Sequence, residues 1–119
     1  MSRLRRSFTA AVERNASVEG AFETEPYEAG WASEARWFVR VQSAVGKAPR
    51  LTCQPQISPD GLEWCDEESA PLVLRGSGLA TLKLRDFGGW LRLACVAEDE
   101  ENAGQASLVK VTIFLVLKE

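Results

Sequence analysis

A chain of 119 residues, 45% apolar and 26% charged, has enough length for one hydrophobic core and too much apolar content for general disorder. Its formal charge of −3 disfavours nucleic acid as a general partner, because phosphate binding needs a concentrated basic surface. It contains no histidine, so the commonest general base near neutral pH and the commonest metal ligand are both missing, and most hydrolase constellations cannot be assembled.

The chain begins MSRLRRS, where Arg3, Arg5 and Arg6 form a local basic cluster. It suits a neighbouring subunit, an acidic surface or nucleic acid, or is simply a solvated terminus. The apolar middle of a secretory signal is absent, since Glu13 and Arg14 interrupt MSRLRRSFTAAVERN, and no run is long enough to span a bilayer. Cytoplasmic synthesis without export or membrane contact is therefore expected.

Period-two alternation starts at once. Phe8, Ala10 and Val12 alternate with Thr9, Ala11 and Glu13, and after Asn15 the pattern resumes with Val18, Gly20 and Phe22. This predicts a hairpin or one long bent strand. TEPYEAG breaks the pattern, and ARWFVRVQS restores it with Ala35, Trp37, Val39 and Val41 on a core face and Arg36, Phe38, Arg40 and Gln42 on the other. In RLTCQPQI the residues Leu51, Cys53 and Ile57 are in phase, while Pro55 cannot donate a ladder hydrogen bond and predicts an edge or a bulge.

SPDG, residues 58–61, has the residue types of a type I turn closed by a G1 bulge, with Gly61 supplying a positive φ. The returning strand then carries Leu62 and Trp64 inward. Cys65 falls near Cys53 in that hairpin, yet a disulfide between them needs a shifted register. Cys53, Cys65 and Cys95 are odd in number and lack metal-site spacing, so buried reduced thiols are expected.

In PLVLRGSG, Leu72 and Leu74 point inward. GLATLKLRDFGGWLRLACVAEDEEN predicts a second hairpin turning at Gly88-Gly89, with Leu82, Leu84, Leu91, Leu93 and Cys95 inward. The acidic runs Asp66-Glu67-Glu68 and Glu98 to Glu101 lack the glycine-punctuated spacing of a calcium loop and are expected to be solvated. The last strand, SLVKVTIFLVLKE, is apolar on both sides towards its end, which places it centrally in a sheet or against a partner.

About eight short strands and no helical period predict an all-β fold, a single antiparallel β-sandwich of jelly-roll or immunoglobulin-like kind. Residues 1–16 form a basic arm or first strand, and 17–119 the sandwich. Four tryptophans exceed what one small core needs. By phase Trp90, Arg92, Phe38, Phe114 and Val116 face outward; if their strands adjoin, they make an apolar patch rimmed by arginine, the composition of a protein interface. Alternatively, these aromatics cover their own sheet or stack on arginine.

The stretches SPDGLEW and FGGWLRL, followed by the closing strand VKVTIFLVLK, resemble a pattern in small β-sandwich accessory proteins of phages and phage-derived particles, of head-decoration or tail type, over roughly residues 17 to 118. Similar SxDGxxW hairpins occur in carbohydrate-binding sandwiches. The resemblance implies a structural protein and supplies no catalytic residue. The expected function is thus a non-enzymatic assembly subunit without cofactor or metal, forming a homo-oligomer or particle shell through Arg3, Arg5, Arg6, Phe38, Trp90, Arg92, Phe114 and Val116. Nucleic acid is expected to contact only the N-terminal arm, if anything. The alternative is a glycan-binding module stacking a sugar on Trp31, Trp64 or Trp90.

Overall fold

A computed structural model describes residues 6–102 and 105–119. Among them the regular structure is all strand: β1 (Ser7–Glu23), β2 (Tyr27–Glu28), β3 (Glu34–Ala44), β4 (Pro49–Ser58), β5 (Cys65–Asp66), β6 (Leu72–Arg75), β7 (Gly78–Arg85), β8 (Trp90–Asp99) and β9 (Leu108–Lys118). Every pairing is antiparallel, and the order β5-β4-β8-β1-β9-β3-β7 curls into two layers, with β2 added to β8 and β6 to β4.

The first strand is the hinge between layers. It is one long strand running through position 16, not a hairpin: residues from Ser7 to Glu19 pair with β9, and those from Gly20 to Glu23 pair with β8. Gly20 stands at the changeover with φ 69°, a conformation that costs glycine little and lets the strand change sheets. The register also slips twice between Ala11 and Ala16. Asn15 takes the left-handed conformation there (φ 46°), which asparagine tolerates better than most residues. Its N–H donates to Thr112 Oγ1 at 3.1 Å and its side chain accepts from Gln42, so the bulge is tied to β9 and β3.

Layer one is β1-β9-β3-β7, and β9 lies centrally between β1 and β3. Its inner face carries Ala35, Trp37, Val39, Val41, Leu84, Val109, Val111, Ile113, Leu115 and Leu117; Leu51, Cys53, Leu91, Leu93, Cys95 and Ala97 meet them from layer two. The alternation read from the sequence is therefore the inner/outer alternation of the two sheets.

Four local expectations are corrected. Residues 80–97 do not form a hairpin: β7 pairs with β3 and β8 pairs with β4, so Asp86-Phe87-Gly88-Gly89 is a crossover between layers. Leu82 opposes Trp37 and Leu84 opposes Ala35, a long-range register that local sequence cannot express. Pro55 is neither at an edge nor bulged. It opposes Leu93 on one side, and its carbonyl accepts from Glu67 on the other, in the gap between the end of β6 and the start of β5. The missing N–H faces that gap, where no ladder partner asks for a donor.

The acidic runs are not simply solvated. Asp99 is buried (5% exposed) and accepts from Lys47 N at 2.9 Å, Ala48 N at 3.3 Å and Glu101 N at 2.9 Å. Burial raises its pKa, but the N–H groups of Glu101, Lys47, Ala48 and Asn102 outweigh that and hold the carboxyl below the ordinary carboxylate range. A depressed folded-state pKa contributes stability above the unfolded value, about 3.9, that is lost as pH falls through the folded value. Thermal melts from pH 7 down to pH 3 are expected to show Asp99→Asn as less stable at pH 7 and less acid-sensitive than the parent protein. Glu67, also buried, accepts from Ser69 N at 2.7 Å.

Fourth, the SPDG turn is longer than a two-residue hairpin. Ile57 opposes Cys65, so the loop runs over 58–64. Ser58 Oγ accepts from Gly61 N at 2.8 Å and Asp60 N at 3.2 Å, and Asp60 Oδ1 accepts from Leu62 N at 2.9 Å and Glu63 N at 3.1 Å. These side chains replace the backbone ladder of a tight turn. Gly61 does have positive φ (81°). A Cβ there would lie 3.1 Å from the Trp90 ring, so the loop rests on that indole.

Candidate functional site

The expected outward patch divides between the two layers. Phe38 and Phe114 are direct cross-strand partners on β3 and β9, and Arg36 opposes Val116 one step along. Cross-strand neighbours on one face stand about 5 Å apart at Cβ, so these four residues form one strip on the outside of layer one. A hollow of about 320 Å³ opens beside it, lined by Glu34, Arg36, Phe38, Lys83, Val116 and Lys118. The two phenylalanines are half-buried here.

Charge makes this face unusual within the chain. The charged residues of β3, β7 and β9 are Arg36, Arg40, Lys83, Arg85, Lys110 and Lys118 against the single acid Glu34. These three strands carry +5; the layer-one stretch of β1 adds Glu13, Arg14 and Glu19, so the layer carries +4 and the rest of a chain with 14 Lys/Arg and 17 Asp/Glu carries −7. Arg85 pairs with Glu34 at 3.2 Å, and Arg36 donates to Thr81 Oγ1 at 3.3 Å. Arg36, Arg40, Lys83, Lys110 and Lys118 form no ion pair among the described residues. An apolar centre with a cationic rim is thus held open to solvent.

Trp90 and Arg92 lie on β8, on the outside of layer two, away from that strip. Their surroundings are filled. Arg92 donates to Gln56 Oε1 at 2.8 Å, pairs with Glu23 at 2.7 Å and lies 4.3 Å over the Trp64 ring, while Trp90 carries the Gly61 loop. Trp64 is therefore outside, stacked on arginine, and Leu62 is 83% exposed. Both were expected inward; the seven-residue loop breaks the phase that a tight turn would have kept. The remaining layer-two cations are also engaged, Arg50 with Glu98 and Glu100, and Arg75 with Glu100 at 2.7 Å. Exposed ion pairs add little stability, but they leave this face with no unbalanced positive charge.

Of the basic terminus, Arg3 and Arg5 lie outside the described residues. Arg6 pairs with Glu119 at 3.3 Å and lies 4.4 Å over the Trp31 ring. It edges a second groove, about 390 Å³, lined by Arg6, Ser7, Phe8, Tyr27 and Trp31, in which Phe8 and Tyr27 stack at 6.0 Å. Phe8 has the inward parity, opposite Leu117, but at the start of its strand it is 47% exposed. Tyr27 carried no sequence signal, because β2 is only two residues long.

Two of the three thiols are buried, as expected, and the third is not. Cys65 is exposed and opposite Ile57, whereas Cys53 is buried opposite Cys95, also buried. No disulfide joins Cys53 to Cys65.

The fold and its two outer faces define the class: an all-β antiparallel sandwich with one basic, apolar-centred face. No family model and no curated protein matches the chain. Among solved structures it resembles a family two carbohydrate esterase from Cellvibrio japonicus at 12% identity, covering 97% of this chain and 34% of that one with a TM-score of 0.38. It also resembles dimeric latent PorU from Porphyromonas gingivalis at 9% identity, covering 97% of this chain and 10% of that one with a TM-score of 0.31. The chain spans about a third of the first protein and a tenth of the second, and at these values neither likeness bears on activity. No helix among the described residues is long and apolar enough to cross a membrane.

Proposed function

We propose that this protein is a non-enzymatic assembly subunit whose layer-one face docks on the acidic side of another copy. The observation that carries the reading is the separation of charge, +4 on the layer that holds Phe38, Phe114 and Val116 and −7 over the remainder. Apolar contact supplies affinity at such a centre, and the cationic rim supplies register and on-rate. Space is sufficient: a standard interface takes about 800 Å² per partner, and the body measures 56 × 28 × 20 Å with 6837 Å² of surface. Docking one face on a different face is heterologous, so it closes into rings or continues as open arrays. A decoration or tail component of a phage-like particle, the setting implied by SPDGLEW and FGGWLRL, is the context in which such contacts serve.

Light scattering behind size-exclusion chromatography tests this directly. Mass above that of one 13.1 kDa chain is expected at low salt, falling as ionic strength rises. A monomer at every salt concentration up to the solubility limit counts against the reading.

A second reading has its own observation, the aromatic groove at Phe8, Tyr27 and Trp31. Aromatic faces beside polar groups suit sugar rings, and these three aromatics line a groove of about 390 Å³ in which Arg6 lies over the Trp31 ring as Arg92 lies over Trp64. Saccharide titration is expected to quench or shift tryptophan fluorescence, and that response is expected to vanish in Trp31→Ala. A flat titration over a broad glycan panel removes the alternative.

A further inference from the structure

Cys53 on β4 and Cys95 on β8 are paired residue to residue in the register of the two strands. Which kind of pair they form follows from the hydrogen bonds around them. The Pro55 carbonyl accepts from Glu67 and the Pro49 carbonyl from Gly76, both on the side of β4 away from β8. Backbone groups of alternate residues point the same way along a strand, so those of Cys53 also turn away from β8. On β8, Leu93 donates to Thr24 Oγ1 and its carbonyl accepts from Thr24 N, so the groups of Leu93 and Cys95 turn away from β4. Cys53 and Cys95 are therefore a non-hydrogen-bonded pair, the closer of the two antiparallel types, with Cα atoms about 4.5 Å apart. That spacing lies within the roughly 4.4–6.8 Å that disulfides span. Both side chains point into the core, 0% and 2% exposed.

We propose that Cys53 and Cys95 are a cross-strand dithiol, oxidised to an intramolecular disulfide by a low-molecular-weight disulfide when the β4–β8 ladder opens, and that the bond locks the two central strands of layer two together. In the first step the sulfur of one cysteine attacks a sulfur of the oxidant RSSR. It loses its proton and forms a mixed disulfide, and one RS⁻ leaves and takes up a proton as RSH. In the second step the other cysteine attacks the protein sulfur of that mixed disulfide, Cys53–S–S–Cys95 forms, and the second RS⁻ leaves as RSH. The protein gives up two electrons and two protons, and one RSSR becomes two RSH. Cys65 has no such partner: it is exposed and faces Ile57, so oxidation there stops at the mixed disulfide. Closed, the core thiols are shielded. The neighbouring Cys53 and burial push the Cys95 thiol far above its usual range, so exchange waits on strand opening.

The test uses the full chain carrying Cys65→Ser, an exposed change that leaves the pair intact. The protein is incubated with oxidised glutathione in sub-denaturing urea, then denatured without reductant, and its thiols are titrated and its peptides mapped. The expected result is a fall from two titratable thiols to none, a mass two hydrogens lower, one peptide linking 53 to 95, and recovery of both thiols with dithiothreitol. The reaction is expected to accelerate with urea up to the unfolding transition, and the product to unfold at higher urea than the reduced protein. Retention of both thiols at urea concentrations where hydrogen exchange shows the β4–β8 ladder opening overturns the proposal. So does loss of thiol that maps to glutathione adducts or to links between chains.

Discussion

Trp37→Ala is expected to lower unfolding stability by about 3–5 kcal/mol, the range for truncating a fully buried aromatic. In a single-core protein, total stability is about 5–15 kcal/mol. Trp37 is 0% exposed on the inner face of β3, paired to Leu115 on β9 and Leu82 on β7. It is the largest of the fully buried side chains and sits where the two layers meet, so its removal leaves a cavity that three hydrogen-bonded strands cannot collapse to fill. One detail separates packing from hydrogen bonding: the indole Nε1 is buried without a hydrogen-bond partner among the described residues, which costs free energy in the native state. Trp37→Phe keeps most of the ring and discards that orphan donor, so it is expected to lose much less than the alanine variant. Chemical denaturation of both variants provides the check; equal losses would mean that the ring's volume is not what holds the layers.

Reversing charge at the rim of the layer-one face, Arg36→Glu with Lys83→Glu, is expected to abolish self-association while leaving the fold intact. Both residues line the hollow beside Phe38 and Val116, neither forms an ion pair among the described residues, and Arg36 makes one exposed hydrogen bond, to Thr81. The double change takes the layer from +4 to zero. Substitutions at such positions usually shift stability by less than about 0.5 kcal/mol, whereas like charges set against an acidic partner cost several kcal/mol of binding. Arg92→Glu is the contrasting variant. It breaks the contacts to Glu23, Gln56 and Trp64 and is expected to reduce stability without a specific effect on assembly. Light scattering on nucleic-acid-free protein, with thermal melts in parallel, reads both quantities. Undiminished association of the double variant would move the contact elsewhere.

The candidate site was legible residue by residue but not as a constellation. Phase correctly turns Phe38, Phe114, Val116, Arg36, Trp90 and Arg92 outward. It says nothing about which outward sides adjoin, and β3 and β9 share a layer while β8 belongs to the other. The basic face also depended on β7 leaving β8 to pair with β3, since only that pairing brings Lys83 and Arg85 beside Arg36 and Glu34. Trp64 was misplaced because one assumption about loop length carries a phase through every following residue.

By itself, the sequence determined that this chain is extended throughout and which side of each long strand faces the core. Both follow from the two-residue repeat of the pleat, a property each segment expresses alone. Only the tertiary structure decided the partners: that β1 serves two layers, that FGG bridges them instead of closing a hairpin, and that Cys53 meets Cys95. Those outcomes depend on how inner faces match across the core and how registers align between strands far apart in the chain. Alternation within a strand is the same whichever neighbour the strand finds.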